Sequence, residues 1–253
     1  MGSFAVTRKI MTEKPKYNDT YYEFTQIKSC VITLWNETEI KLSDIDPPID
    51  WRMIFGNDNP VEIEIGCGKG RFLLEASKRC PEINYVGIER APKYVQHTRE
   101  RLLKHNAKRV LVVWSDAPYF VNCYLADNSV KAYHIYFPDP WPKKRQRKRR
   151  IFNNDLWIQG LIRTLQPNGG QIHIATDYAE YFHEIHDRLT QSPPLFHIPP
   201  DSVEAVHIPT NFEMKYVKEG RQIYRAVYAL REEASGEKEI EARKPLPQNY
   251  DAP

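Results

Sequence analysis

The chain has 253 residues, of which 41% are hydrophobic and 12% aromatic, and its formal net charge is +3. This composition supplies enough apolar material for the core of one large domain. No apolar run is long enough to cross a membrane, and the N-terminus lacks the apolar stretch of a signal peptide. We therefore expect a soluble, cytoplasmic protein that does not associate with membranes.

Cysteine and histidine placement gives no sign of a metal site. The sequence contains four scattered cysteines, Cys30, Cys67, Cys80 and Cys123. Their spacing fits neither a zinc site nor a redox motif, so we interpret them as free thiols in a reducing compartment. His183 and His186 share a face of a predicted helix, but no partner cluster accompanies them. We predict that these two and His173 face solvent and that no metal is bound.

Residues 1–59 precede the first clear pattern and are interpreted as an N-terminal arm and lead-in. Residues 1–30 are polar and lack a clear period, which is typical of a flexible arm or a partly ordered segment. Residues 31–59 are richer in large apolar side chains, and a short helix is predicted at 50–55.

From residue 60 onward, strands alternate with helices. The predicted strands span residues 61–65, 84–88, 110–114, 131–137 and 171–175. The predicted helices span residues 71–79, 92–105, 153–165 and 178–189. This alternation predicts an α/β fold with a doubly wound, mostly parallel sheet.

The alternation ends after residue 191, where proline-containing loops follow. A short helix is predicted at 210–216, and the alternating pattern of 221–230 predicts a late, antiparallel strand. Residues 232–253 are charged and nearly devoid of apolar side chains, which predicts a disordered tail. The folded domain is therefore expected at 60–231.

Five predicted strands each deliver a carboxylate near the carboxyl end. In chain order these are Glu64, Glu89, Asp116, Asp139 and Asp177. In a doubly wound sheet, ligands bind outside the carboxyl ends of the strands. Each acid alone is typical of a polar strand end, but five at one edge indicate a binding site.

The glycine loop that follows Glu64 favours a nucleoside cofactor. Gly66, Gly68 and Gly70 permit positive φ and close approach of a ligand. The third glycine comes one residue earlier than in the dinucleotide fingerprint, which argues against NAD. Glu89 is placed to accept hydrogen bonds from ribose hydroxyls, and Asp116 from an adenine amino group.

Asp139 lies between two prolines and just ahead of a basic run. Proline restricts both its own φ and the residue before it, so this carboxylate is expected to be held stiffly. In residues 143–150 every position except Gln146 is basic, which predicts a polyanion-binding patch. The alternatives are a simple turn, a localisation signal and a solvated face.

Several motifs together carry a family resemblance that covers residues 60–230. E-x-G-C-G-K-G from Glu64, with acids after the next two strands, resembles class I S-adenosylmethionine-dependent methyltransferases. The segments F-P-D-P-W-P-K, A-T-D and T-N-F-E make the sequence similar to bacterial tRNA (guanine-N7)-methyltransferases. The resemblance implies S-adenosyl-L-methionine as cofactor and methylation of a guanosine in the tRNA variable loop. No obligatory protein partner is inferred.

The resemblance also implies roles for individual residues. Asp139 corresponds to the active-site carboxylate of the family. Cofactor contacts are implied for Glu64, Gly66, Gly68, Glu89, Asp116 and Asp139. Substrate contacts are implied for Lys143, Asp177, Thr210, Asn211, Phe212 and Glu213. RNA contacts are implied for Arg145, Arg147, Lys148, Arg149 and Arg150.

The chemistry of guanine constrains the mechanism that we expect. N7 carries a free lone pair, so no proton must be removed before transfer and no strict general base is needed. Asp177 and Glu213 are candidates for reading the N1–H and 2-amino edge. Trp141 either supports the extruded base or packs under the loop.

Three other functions remain open on the sequence alone. They are an NAD-dependent oxidoreductase, a methyltransferase acting on a small molecule or another RNA, and a non-catalytic RNA-binding protein.

Overall fold

The computed structural model describes residues 31–33, 39–199 and 208–230. The strands are β1 Val31–Thr33, β2 Glu39–Lys41, β3 Val61–Ile65, β4 Asn84–Glu89, β5 Val110–Trp114, β6 Ala132–Tyr136, β7 Gln171–Thr176, β8 Leu195–Ile198 and β9 Tyr224–Leu230. The helices are α1 Trp51–Phe55, α2 Arg71–Arg79, α3 Pro92–Lys104, α4 Ala117–Tyr124, α5 Asp155–Thr164, α6 Ala179–Thr190 and α7 Asn211–Lys218. Short 3₁₀ turns span Leu42–Asp44, Lys144–Arg149 and Ile151–Asn153.

The nine described strands form one sheet in the order β2-β1-β5-β4-β3-β6-β7-β9-β8. Neighbouring strands among β5, β4, β3, β6 and β7 pair in parallel. The outer strands β1, β2, β8 and β9 pair antiparallel with their neighbours. The predicted parallel sheet with a late antiparallel strand is confirmed. The chain winds outward in both directions from β3 and β6, so a topological switch point lies between their carboxyl ends.

Side chains of the central strand alternate between two helical layers, as strand geometry requires. Ile63 and Ile65 belong to the larger core cluster, which includes side chains of α4, α5 and α6. The smaller cluster lies between the sheet and helices α2 and α3. Glu62 and Glu64 point to that second face, where an apolar central strand would normally place hydrophobic residues.

The sheet begins earlier in the chain than the domain start predicted at residue 60. β1 pairs with β5, and Ile32, Leu42, Trp51 and Phe55 are buried in the same cluster as the central strands. Residues 31–59 therefore supply part of the core. The predicted short helix is α1, which Asp50 caps. The predicted arm at 1–30 and the predicted tail at 232–253 lie outside the described residues.

Two further elements were not predicted from the sequence. Helix α4 follows Asp116, and strand β8 lies between two proline-containing segments and pairs with β9. Cys67, Cys80 and Cys123 are free thiols in the structure. Within the described ranges, no helix is long and apolar enough to cross a membrane.

Candidate active site at the carboxyl edge of the sheet

The glycine loop lies directly outside the carboxyl ends of β3 and β4. The backbone N–H groups of Gly66 and Cys67 donate to the Ile88 carbonyl oxygen at 2.8 and 3.2 Å. Gly66, Gly68 and Gly70 have φ values of 72°, 54° and 66°, which residues with a Cβ rarely adopt. The loop thus keeps backbone close to the switch point and leaves that space free of side chains.

Glu64 is a buried carboxylate at this edge. Its side chain is 4% exposed, and Oε2 has no hydrogen-bond partner in the described structure. Burial raises the pKa of Glu64 well above its ordinary value, and the neighbouring Glu89 raises it further. A buried acid with an unpartnered oxygen beside a glycine loop fits a ligand that carries positive charge, such as a sulfonium or ammonium group.

Glu89 and Asp116 lie at the same edge and already accept backbone hydrogen bonds. Glu89 Oε2 accepts from Gly68 N at 3.0 Å, and Oε1 accepts from Ala91 N at 2.8 Å. Asp116 caps α4 by accepting from Tyr119 N at 3.3 Å. A carboxylate offers about four lone-pair sites, so Glu89 retains acceptor capacity for ribose hydroxyls, and Asp116 is a further acceptor at the same edge.

The loop that carries Asp139 is conformationally strained. Phe137 and Trp141 flank it with φ values of 54° and 39°, which are uncommon for residues with a side chain. Phe137 N donates to the Ala175 carbonyl at 2.7 Å, which ties the loop to the end of β7. Asp139 itself is exposed. The strained loop therefore holds an accessible carboxylate above the switch point.

Asp177 and Asp139 both act electrostatically on Tyr216 of α7. Burial raises the pKa of the Tyr216 hydroxyl, and the charges of Asp177 and Asp139 contribute to the increase. Asp177 Oδ2 accepts from Arg221 Nη1 at 2.7 Å. The Phe137 ring contacts Tyr216, with centroids 5.5 Å apart, so an aromatic surface borders both carboxylates.

The segment at 210–213 begins α7. Thr210 is its N-cap, because Thr210 Oγ1 accepts from Glu213 N at 3.1 Å. Asn211 and Phe212 are exposed, whereas Glu213 is 5% exposed and ion-paired with Arg225.

Tyr136 connects this segment to the buried acid of β3. Burial raises the pKa of Tyr136, and the charges of Glu64, Glu62 and Glu213 raise it further. Glu64 and Glu213 therefore act electrostatically on the same hydroxyl, although they come from opposite ends of the domain.

Arg221, Arg225 and Tyr216 are site residues that sequence reasoning missed. The antiparallel register places Tyr224 of β9 beside Thr176 of β7, which brings the preceding Arg221 next to Asp177. The signal that could have found the arginines is the predicted antiparallel strand itself, combined with charge complementarity to Asp177 and Glu213.

Comparison with known proteins shows the family to which the sequence belongs. A family model described as "Putative methyltransferase" matches residues 58–226. A tRNA (guanine-N(7)-)-methyltransferase of Rhodopirellula baltica is 37% identical over 198 residues, covering 74% of this chain and 72% of that protein. The chain belongs to the tRNA (guanine-N7)-methyltransferase family.

Other members of the methyltransferase family match over a similar extent. The protein of that name from Geobacter metallireducens is 33% identical, over 72% of this chain and 87% of its own length. The one from Alkalilimnicola ehrlichii is also 33% identical, over 79% of this chain and 84% of its own length. Among solved structures, the aminoglycoside resistance methyltransferase NpmB1 aligns with a TM-score of 0.50 and 14% identity, over 79% of this chain and 99% of that one. That likeness concerns the fold.

The basic run of this methyltransferase family member forms a 3₁₀ turn with an exposed cationic surface. Lys143, Arg145, Lys148 and Arg149 are exposed, and the Arg149 guanidinium lies 5.1 Å from the centroid of the Trp141 ring. Arg147 is partly exposed and pairs with Glu180. Trp141 therefore packs against the basic turn.

Arg150 differs from the cations before it, and its predicted RNA contact needs correction. Its side chain is 0% exposed and pairs with Glu180 and Glu184 on α6. Its Nε donates to the Pro140 carbonyl oxygen at 2.8 Å. A fully buried guanidinium with these partners does not present charge to RNA.

Two of the three histidines considered from sequence are less exposed than expected. His186 is partly buried, and its Nδ1 lies 2.8 Å from the Tyr228 hydroxyl. Burial, with a contribution from His134, lowers the pKa of His173 to about 3. His183 is exposed, as predicted. No group of three or more metal-ligating side chains occurs in the part of the chain that the structure describes.

Proposed function

We propose that this protein transfers the methyl group of S-adenosyl-L-methionine to N7 of a guanosine in the variable loop of tRNA, in the cytoplasm. The observation that carries the proposal is the buried Glu64 carboxylate beside the glycine loop, whose Oε2 has no hydrogen-bond partner in the described structure. It lies at the same sheet edge as an accessible Asp139 and a cationic turn. One edge thus offers acceptors for a cationic cofactor and donors for a polyanion.

The cofactor would bind over the carboxyl ends of β3, β4 and β5. When bound, it supplies an electrophilic methyl group on a positively charged sulfur. Gly66 and Gly68 leave room for its close approach, and Glu64 supplies a negative charge to balance the sulfonium. Glu89 would accept from the ribose hydroxyls and Asp116 from the adenine amino group.

The base would be positioned by the acids at the ends of β6 and β7 and the start of α7. Guanine N7 needs no deprotonation, so catalysis rests on orientation and on electrostatic stabilisation of the cationic purine. Asp177 and Glu213 each pair with an arginine in the structure. The N1–H and 2-amino edge of guanine presents paired N–H donors, as a guanidinium does, so it would compete with these arginines for the two carboxylates.

Asp139 would lie between donor and base and orient both, as the accessible carboxylate of the strained loop. Thr210 fixes the start of α7, and the exposed Asn211 and Phe212 lie beside the loop of Asp139. The Phe212 ring, 6.3 Å from that of Phe137, offers a surface on which an extruded base can stack.

RNA phosphates would be bound by Lys143, Arg145, Arg147, Lys148 and Arg149, all on the turn that follows Asp139. Phosphate contacts position the nucleic acid, whereas base contacts select the site. The cationic surface directly follows the predicted catalytic carboxylate in the chain, which suits an enzyme that must hold a folded RNA while one base is extruded.

The decisive experiment is methyl transfer from labelled S-adenosylmethionine to two unmodified tRNA transcripts. One transcript keeps the variable-loop guanosine, and the other has adenosine in its place. We expect label only in the first transcript, with cleavage at that base by chemistry specific for 7-methylguanosine. Label in both transcripts would indicate another target, and cofactor binding without any label would indicate a non-catalytic RNA-binding protein.

A further inference from the structure

Arg150 is enclosed by groups that occupy most of its donors. Nε donates to the Pro140 carbonyl at 2.8 Å, and Nη1 contacts Glu184 and, at 3.3 Å, Glu180. The guanidinium also lies 4.8 Å from the centroid of the buried Tyr181 ring. Among side chains, only the planar guanidinium of arginine can donate to a carbonyl and two carboxylates and also stack on an aromatic ring.

Two of these partners belong to the segments that carry the proposed site. Pro140 directly follows Asp139, and α6 begins two residues after Asp177. Arg150 therefore connects the Asp139 loop to the helix that starts beside Asp177. The bond to Pro140 also joins two residues ten positions apart, because Arg150 directly follows the basic turn.

The position of the bond matters because the loop is strained. Phe137 and Trp141 keep positive φ only if surrounding contacts hold them there. Trp141 is the next residue after Pro140, so the Arg150 bond acts where the unfavourable conformation must be maintained.

We infer that Arg150 is a positioning residue for methyl transfer: it fixes the Pro140 carbonyl against α6 and thereby sets the place of Asp139. Glu184 is its principal counter-ion, because Glu180 also serves the partly exposed Arg147. This inference rests on the proposed function for its catalytic readout.

The test removes the bond without leaving a buried charge. Arg150→Met combined with Glu184→Met deletes both members of the pair, a change that proteins often tolerate. We expect single-turnover methyl transfer at saturating cofactor and tRNA to fall about 100-fold, because small misplacements of reacting groups have effects of that size. Cofactor affinity and the salt dependence of tRNA binding should stay as in the wild type.

A readout independent of activity separates this inference from the proposed function. The Phe137 amide donates to the Ala175 carbonyl at 2.7 Å, so its exchange reports on how firmly the Asp139 loop is held. We expect this exchange to accelerate about tenfold or more in the double variant, while amides of β3 and β4 remain protected. This result can be read even if the wild type methylates nothing.

Two further variants complete the test. Arg163→Met removes an arginine that likewise binds carbonyl oxygens, those of Val121 and Leu125, but far along the chain from Asp139. It should leave transfer and loop exchange unchanged. Arg150→Lys keeps the charge but lacks the fork, so transfer should remain impaired.

Two results would overturn the inference. One is near-normal transfer and exchange in the double variant. The other is a flatter salt dependence, since that would make Arg150 an RNA contact.

Discussion

At the scale of a single residue, Asp139 is exposed to solvent but lies in a conformationally restrained loop. Its neighbours Phe137 and Trp141 adopt positive φ, and yet the carboxylate is exposed and contributes to no core cluster. Side chains of this kind contribute little to folding free energy, usually within about 0.5 kcal/mol. Its mutation therefore separates catalysis from stability.

We predict that Asp139→Ala abolishes methyl transfer, with a rate decrease of at least about 100-fold because its role is to position reacting groups. The variant should still fold and bind tRNA. Single-turnover transfer and filter binding measure the two properties, and Asp187→Ala, an exposed acid on α6, is the matched control. A near-normal rate in the Asp139 variant would refute its catalytic role.

Glu64 allows a second prediction at this scale, because burial and Glu89 raise its pKa. A cationic cofactor beside it should lower that pKa, so binding should release protons. Calorimetric titration with S-adenosylmethionine in buffers of different ionisation enthalpy measures this release. Glu64→Gln should bind more weakly and show no buffer dependence, whereas Glu100→Gln, at an exposed position on α3, should behave as wild type.

The raised pKa of Glu64 also determines how the stability of the cofactor-free protein changes with pH. The folded pKa of Glu64 lies above the unfolded value of about 4.3. The unfolded chain therefore releases this proton first, and stability decreases as pH rises from the unfolded pKa toward the folded one. Glu64→Gln should flatten that decrease, and an unchanged pH profile would argue that the carboxyl is ionised in the fold.

At the scale of an element, the basic turn Lys144–Arg149 presents cations that the fold does not need. Lys148 and Arg149 are exposed, and the Arg149 guanidinium lies against the Trp141 ring. This arrangement leaves both cations available to phosphates.

We predict that Lys148→Ala combined with Arg149→Ala weakens tRNA binding and reduces its salt slope by about 0.7–0.9 for each phosphate that the variant no longer neutralises. Binding measured over a series of salt concentrations tests this. Lys78→Ala, which removes an exposed lysine paired with Glu75 on α2, should leave the slope unchanged. An identical slope in the turn variant would remove this surface from the RNA interface.

The sequence predicted strands and helices correctly where the local pattern and the tertiary context agree. Strands β3 to β7 and helices α2, α3, α5 and α6 were found because apolar periodicity and strand-end polar residues coincide there. Strand β8 was missed because four residues between prolines carry too little pattern, and only pairing with β9 defines them. β1 and β2 are defined in the same way, by partners elsewhere in the chain.

The candidate site shows a similar division. Acids at strand ends can be predicted, because the parallel topology brings carboxyl ends to one edge. Arg150 could not be distinguished from the exposed cations before it, since a dense basic run gives no sign of which member is buried. Its burial depends on Glu184 and Pro140, whose positions follow from the fold.

At the scale of the whole molecule, several of the described residues before residue 60 belong to the core. Ile32 is 0% exposed and lies in the cluster that contains the central strands. We predict that Ile32→Ala lowers the free energy of unfolding by about 2–5 kcal/mol, the usual range for such a truncation. Chemical denaturation measures this. Val217→Ala, 58% exposed on α7, is the control, and equal effects of the two substitutions would contradict a buried β1.

The order of strands in the sheet also has a consequence for synthesis on the ribosome. β3 pairs on one side with β4, but its other neighbour β6 is made only after α3, β5 and α4. β1 must likewise wait for β5. A nascent chain that ends before β6 therefore lacks one flank of its central strand. We expect it to remain open to proteases and chaperones until β6 has emerged, because non-local pairing delays folding.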